Sequence, residues 1–149
     1  MPNIKKRQTV SDISPASWNT LHGSQHPFLS HAFLSGLEEH QCLRARWGWE
    51  SSPITLFDGD DLIAAAPAYI KNNSHGEFVF DHAWAHAYAR TGRDYYPKLV
   101  VAVPYTPVTG PRLLAKDAST REKLILALEQ KALDENLSSV HINFLPESE

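Results

Sequence analysis

Residues 54–70 read ITLFDGDDLIAAAPAYI, and the architecture of the chain turns on them. Ile54 to Phe57 has the pattern of a strand, and Leu62 to Ile70 returns as a second one. Between them Asp58-Gly59-Asp60-Asp61 carries the Asp-Gly chemistry of a tight hairpin, where glycine supplies the positive φ that the turn needs. Pro67 lies inside the return strand. Proline has no N–H to give to a ladder, so its place predicts a bulge or an edge position.

Upstream, Ser14-Pro15 reads as an N-cap followed by proline at the first helical position, leading through ASWNTLHG to a stop at Gly23. Ser24 to Pro27 is a loop. A second helix is predicted from about Ser30 to His40, with Phe33, Leu34 and Leu37 as its buried stripe. Gly36 weakens that helix by about 1 kcal/mol relative to alanine unless close packing explains it. The opening residues IKKRQTVSDI suit a short first strand, and LRARWGWE from Leu43 alternates roughly.

Downstream, Lys71 to Ser74 is loop and Gly76 to Phe80 reads as another short strand. Asp81 is placed to cap a helix through Ala89 that Thr91-Gly92 ends. Lys98 to Val103 is an apolar, β-branched strand, and Pro104 to Pro111 is loop. Ser119 to Glu122 starts a helix with Leu124, Ile125, Leu128, Ala132 and Leu133 facing inward, and Ser139 to Leu145 closes as a strand. This order predicts an α/β (mixed α+β) fold in one domain over residues 1–149: a central, mostly antiparallel mixed sheet with helices on its faces.

A chain of 149 residues with 42% hydrophobic content suits one core. A net charge of −3 gives no electrostatic case for nucleic acid. Lys5, Lys6 and Arg7 form the one basic cluster and read as a solvated end. Cys42 is the only cysteine, which fits a reducing compartment. No apolar run reaches membrane-spanning length, and MPNIKKRQTV has no apolar core of a signal peptide. The expectation is a soluble cytoplasmic protein.

Familiar catalytic patterns are missing. His82 and His86, four apart on a predicted helix, share a face as metal ligands do, but no glutamate follows the first and chance spacing is the plainer reading; no metal is expected. Cys42 has no base-bearing context and reads as a small hydrophobe. There is no G-x-S-x-G elbow, no phosphate loop and no [QR]-x-x-G-x-[GA] loop opening a helix, where acyl-CoA pyrophosphate would sit. Glu77 and Asp81 are the weak candidates for a catalytic base. The remaining candidate is His75 to Arg112, rich in rings, titratable groups and prolines. Tyr95, Tyr96 and Lys98 stand at a strand entry, with Tyr105, Thr106, Thr109 and Arg112 beyond its exit. The cations would neutralise an anionic small molecule and the tyrosines would stack or donate to it. The plainer alternative is that the tyrosines anchor a loop while the cations are solvated.

Several runs carry a family resemblance: PFLSHAFL from Pro27, Ala65-Ala66-Pro67 with Tyr69 and Lys71, HGEFVFD from His75, YYPKL from Tyr95, and VPYTPVTGPR from Val103. Over about residues 25 to 145 the chain resembles the bacterial peptidoglycan biosynthesis/recognition family, GNAT-like and related to Fem-type aminoacyltransferases. The resemblance implies two GNAT-like halves, of which this chain matches the first; the later aromatic FHW-like motif and basic RKR-rich stretch are absent. It departs at His82 and His86, where tryptophan and an acid are expected. By resemblance, the function is an acyl or aminoacyl transferase-type domain that recognises a cell-wall precursor. No cofactor is expected in this half, the acyl-CoA or aminoacyl donor belonging to a full-length relative, and a homo-dimer would cover the face left by a missing half. The alternative is a non-catalytic interaction or self-association module.

Overall fold

The computed structural model describes residues 3–4, 8–23 and 26–149, with Asn3 and Ile4 as backbone. The readings made for Lys5–Arg7 and for Ser24 and Gln25 lie outside the described residues.

The hairpin forms as its chemistry dictates. β3 (Ile54–Asp58) and β4 (Asp61–Ala66) pair antiparallel, and Gly59 takes φ +61° in the turn. Leu56 faces Ala64 whereas Phe57 faces Leu62, so Ile63 is the extra residue of a bulge. The bulge shifts the alternation. Ala64 and Ala66 join a core with Ile54, Leu56, Leu99, Val101 and the helical Leu124 and Leu128. Leu62 and Ala65 join a second core with Val10, Trp18 and Leu34. One strand thus serves two hydrophobic layers.

Pro67 marks a larger event than an ordinary bulge. β4 belongs to a sheet ordered β1-β3-β4-β7, with β1 at Asn3–Ile4 and β7 at Leu114–Ala115. β5 (Ala68–Lys71), just past the proline, belongs to another, ordered β2-β5-β6-β8, with β2 at Glu50–Ser51, β6 at Lys98–Val101 and β8 at Val140–Ile142. The mixed α+β class read from the sequence holds, with its expected central sheet divided in two at a residue that cannot donate to a ladder. β6 and β8 pair parallel, the chain returning between them through α4 (Ala118–Asp134).

α1 (Pro15–His22) has Ser14 as its cap, accepting from the Ser17 amide at 3.3 Å, and ends at Gly23 with φ +73°. α2 (His31–Glu39) is capped by Ser30 and buries Leu34, with Phe33 and Leu37 half-buried. Open space surrounds Gly36, so close packing does not explain that glycine. Glu38 of α2 accepts from the Val10 and Ser11 amides, each at 2.9 Å, tying the helix to the turn before α1.

Expectations for three segments are corrected. α4 is capped by Asp117, whose Oδ1 accepts from the Thr120 amide at 2.7 Å, two residues before the predicted start. Its inward stripe is Leu124, Ala127, Leu128 and Ala132, leaving Ile125 half-exposed and Leu133 76% exposed, because a period of 3.6 carries both off the core line. Residues 76–80 form turns rather than a strand, since Gly76, Phe78 and Phe80 all have positive φ. From Leu43, the alternating run is a 3-10 turn over Ala45–Trp47 closed by Gly48 at φ +82°, and only Glu50–Ser51 pairs. Among the described residues no helix is long and apolar enough to cross a membrane.

Candidate functional site

Two lysines stand opposite each other in the second sheet. Lys71 of β5 and Lys98 of β6 are register partners, and both are fully buried. Like charges so placed repel, and burial adds a desolvation penalty to each. The loop between β5 and the next helix supplies the answer. Lys98 Nζ donates to Glu77 Oε2 at 3.0 Å and to Asp81 Oδ2 at 2.5 Å, and the Tyr95 hydroxyl donates to the same Asp81 oxygen at 2.5 Å. Lys71 Nζ donates to the His75 carbonyl at 2.9 Å and lies 3.6 Å from the ring centroid of Trp49.

That loop, GEFVFD from Gly76 to Asp81, inverts the usual order of burial. Glu77 is 3% and Asp81 8% exposed, whereas Phe78 is 46% and Phe80 76% exposed. Phe78 and Phe80 hold φ of +62° and +52°. Gly76 is obligatory by space as well as by φ: a β-carbon there would stand 2.6 Å from the Tyr105 ring. Asp81 occupies the cap position of α3 (His82–Arg90), but its side chain makes no capping bond and serves Lys98 and Tyr95 instead. α3 buries none of its own residues and is joined to the body by Tyr88, whose ring meets Tyr95 edge-on at 5.3 Å.

The electrostatics separate the two acids. Burial raises Asp81, but hydrogen bonds from Lys98 and Tyr95 outweigh it and leave the carboxyl below its ordinary value. For Glu77, burial outweighs the single bond from Lys98, and the carboxyl is raised. Burial pushes Lys71 down to about 8, against the opposing pull of Glu77. Burial and then the Asp81 carboxylate raise the Tyr95 hydroxyl.

Beside this cluster lies a hollow of about 390 Å³. Four rings line it, those of Phe80, Trp84, Tyr88 and Tyr95. Its polar lining is Asp81, His141 and Asn143. His141 shares a hydrogen bond of 2.9 Å with Ser139, and burial followed by the charge of Lys98 lowers its pKa. Asn143 is 7% exposed, and its backbone amide donates to the Val101 carbonyl at 3.0 Å. Among the described residues no group of three or more His, Cys, Asp or Glu is placed to hold a metal, and His82 and His86 both face solvent.

A family model described as FemAB-like, peptidoglycan biosynthesis/recognition, matches residues 9–149. The chain belongs to that family. No curated protein and no solved structure matches it. In this FemAB-like chain the buried cluster, the hollow and the rings at its rim all fall within the matched residues.

The sequence-predicted site residues do not all meet. Tyr95, Lys98, Glu77 and Asp81 come together, with Tyr96 half-buried and edge-on to Tyr95 at 5.0 Å. Lys98 is enclosed and ion-paired, so it holds carboxylates of the chain rather than a ligand's charge. Tyr105 is tied to the body, its ring 5.4 Å from that of Trp49 and its hydroxyl donating to the Cys42 carbonyl at 2.9 Å. Thr106 donates to the Pro104 carbonyl at 3.0 Å, and the Thr109 carbonyl lies 3.2 Å from His26 Nε2. Arg112 runs most plainly against expectation. It is fully buried, and its guanidinium donates to the carbonyls of Asn143 at 2.9 Å, Gly110 at 3.0 Å and Pro111 at 3.2 Å, and to that of Val108. A guanidinium so enclosed by its own backbone has no fork left for an anion.

The sequence reading passed over Phe80, Trp84, Tyr88, His141 and Asn143. A signal for the last two existed. In VHIN the polar residues alternate with Val140 and Ile142, which pack on the main core, so His141 and Asn143 fall on the opposite face.

Proposed function

We propose that the chain is a substrate-recognition domain of the acyl or aminoacyl transferase type, and that the hollow beside α3 receives part of a peptidoglycan precursor. The observation that carries this reading is the inverted GEFVFD loop, with carboxylates buried on Lys98 and the Phe80 ring displayed at the rim of the hollow beside Trp84. Exposed rings without core neighbours suit the flat apolar faces of sugars and peptide groups. Asp81 and Glu77 fit a positioning role better than that of a base, because Lys98 and Tyr95 already hold Asp81 and Glu77 does not line the hollow. On this reading the acyl or aminoacyl donor is held outside the chain, which lacks the phosphate-holding loop of acyl-CoA enzymes. The family to which the chain belongs supports the precursor class.

Calorimetry of the full chain with a muramyl-pentapeptide nucleotide and, separately, with acetyl-CoA tests the reading. Saturable heat is expected with the nucleotide and none with acetyl-CoA, and Trp84→Ala should weaken binding of the nucleotide without moving Tm, since that ring is 68% exposed. No heat with the nucleotide would overturn the proposal. A second reading, self-association, rests on Leu126 and Leu133 of α4, 63% and 76% exposed and two turns apart on one face. Concentration-dependent sedimentation, removed by Leu126→Lys, together with silence in the calorimeter, would favour it.

A further inference from the structure

Two side chains that line the hollow each hold a buried polar atom with no partner among the described residues: Asp81 Oδ1 and Asn143 Nδ2. Both residues are more than nine-tenths buried, at 8% and 7% exposure. Buried polar atoms are nearly always paired, so two orphans sharing one hollow point to a common guest. They come from different elements, one ahead of α3 and one just after β8.

Their chemistry is complementary. The carboxylate oxygen accepts, and the carboxamide nitrogen donates. Asp81 Oδ2 is already occupied by Lys98 and Tyr95, which keep the group ionised and leave Oδ1 as its free acceptor. A phosphate or carboxylate guest would meet the Asp81 charge. An ammonium guest would leave the Asn143 donor without an acceptor. A neutral group with a donor beside an acceptor satisfies both atoms, which leaves a secondary amide or a hydroxyl. The geometry of the pair favours the amide, whose N–H and C=O lie on one planar group and can meet Asp81 and Asn143 at once while its plane and adjoining methyl or Cα substituent rest on the rings; a single hydroxyl would have to serve both partners through one oxygen.

We propose that Asp81 and Asn143 form an amide-recognition pair, in which a ligand's secondary amide donates its N–H to Asp81 Oδ1 and accepts from Asn143 Nδ2 while its flank rests on Trp84 and Phe80. The inference rests on the recognition reading above and sharpens it. Two parts of a peptidoglycan precursor carry such a group: the N-acetyl arm of an amino sugar and the peptide bond.

The test is side-chain amide NMR of the full chain, following the Asn143 NH₂ and Trp84 indole signals. The probes are N-acetylglucosamine, glucose, N-acetylalanine methylamide and a muramyl-pentapeptide nucleotide. Saturable shifts with N-acetylglucosamine assign the sugar arm, and shifts with the blocked alanine assign the peptide. Glucose, which has no amide, should move neither signal. Asn143→Ala should weaken the amide probe and the nucleotide by roughly five- to twentyfold, the loss of one buried hydrogen bond. Trp84→Ala, at a surface position, should weaken them as well with unchanged Tm. Equal shifts with glucose, or unaltered nucleotide binding by Asn143→Ala, would overturn the amide pair while leaving precursor recognition standing. If the nucleotide itself moves no signal, the recognition reading fails, and this inference with it.

Discussion

Lys98 and Arg112 are both fully buried cations, yet their surroundings differ in kind. Lys98 is neutralised by side-chain carboxylates, Glu77 and Asp81, whereas Arg112 is wrapped by main-chain carbonyls of Val108, Gly110, Pro111 and Asn143. Carbonyls closing around a guanidinium engage four of its five N–H donors and fix a loop, leaving no pair of donors over for a ligand. Carboxylates closing around an ammonium leave oxygens over: Glu77 Oε1 and Asp81 Oδ1 have no partner among the described residues. One corner is finished structure and the other retains chemistry. Asn143 joins them, its carbonyl held by Arg112 and its side chain lining the hollow, so Arg112 serves the site by positioning.

The sharpest way to break this comparison is to remove each cation. Lys98→Met and Arg112→Ala should each destabilise the chain by about 3–5 kcal/mol at pH 7, by stranding buried carboxylates in one case and buried carbonyls in the other. Urea unfolding at pH 7 and pH 4.5 distinguishes them. Without Lys98, Glu77 and Asp81 are buried and unpaired, their folded pKa values rise, and stability is recovered as pH falls and they take up protons. The carbonyls around Arg112 do not titrate, and Glu149, the carboxylate that acts on it, accepts from the Arg112 main-chain amide, which alanine keeps, so the Arg112→Ala deficit should change by less than the Lys98→Met deficit over the same range. Deficits that shrink alike would erase the distinction.

Lys71 gives a smaller effect within the carboxylate corner. Its amine is pushed from 10.5 to about 8 by burial. Between those values the unfolded chain binds more protons than the folded one, so stability rises with pH, by about 2 kcal/mol from pH 8 to pH 10. Lys71→Met should lack this rise, and the difference between the two denaturation series removes the tyrosines common to both. Parallel series would show that Lys71 titrates as an exposed lysine does.

The hairpin, the helical cap at Ser14, the helix beginning near Ser30 and the strand at Lys98 were legible because each depends on neighbours in sequence. Turn glycines, capping serines and β-branched runs act locally. The division of the sheet was half legible: Pro67 announced a break, but nothing local says that the two sides join different sheets. In the site, the tyrosine-rich run pointed to Tyr95 and Lys98, and the same logic misplaced Arg112. Whether a cation meets a ligand or a carbonyl depends on where residues 108–112 and 143 come to rest, which is tertiary. The loop after Gly76 failed differently. Its alternation of acid and ring mimics a strand, but the acids are drawn inward by Lys98, and positive φ at Phe78 and Phe80 accommodates that.

That accommodation yields the smallest effect and the closest test of why the rings are displayed. Phe80 holds φ +52° and is 76% exposed, so its ring gains little from burial while its backbone occupies a region disfavoured for residues with a β-carbon. Phe80→Gly relieves that strain and increases the freedom of the unfolded chain, two terms of opposite sign that should leave a gain of up to about 1 kcal/mol. Phe80→Ala keeps the strain and removes the ring, and should stay within about 0.5 kcal/mol of the parent. Both variants should bind the muramyl-pentapeptide nucleotide more weakly and to a similar degree, because they share only the missing ring. A stability gain coupled to lost binding marks a residue kept in a strained place for a ligand. Should Phe80→Gly instead lose more than about 1 kcal/mol, the ring would be a packing element of the loop, and the display at the rim of the hollow would be incidental.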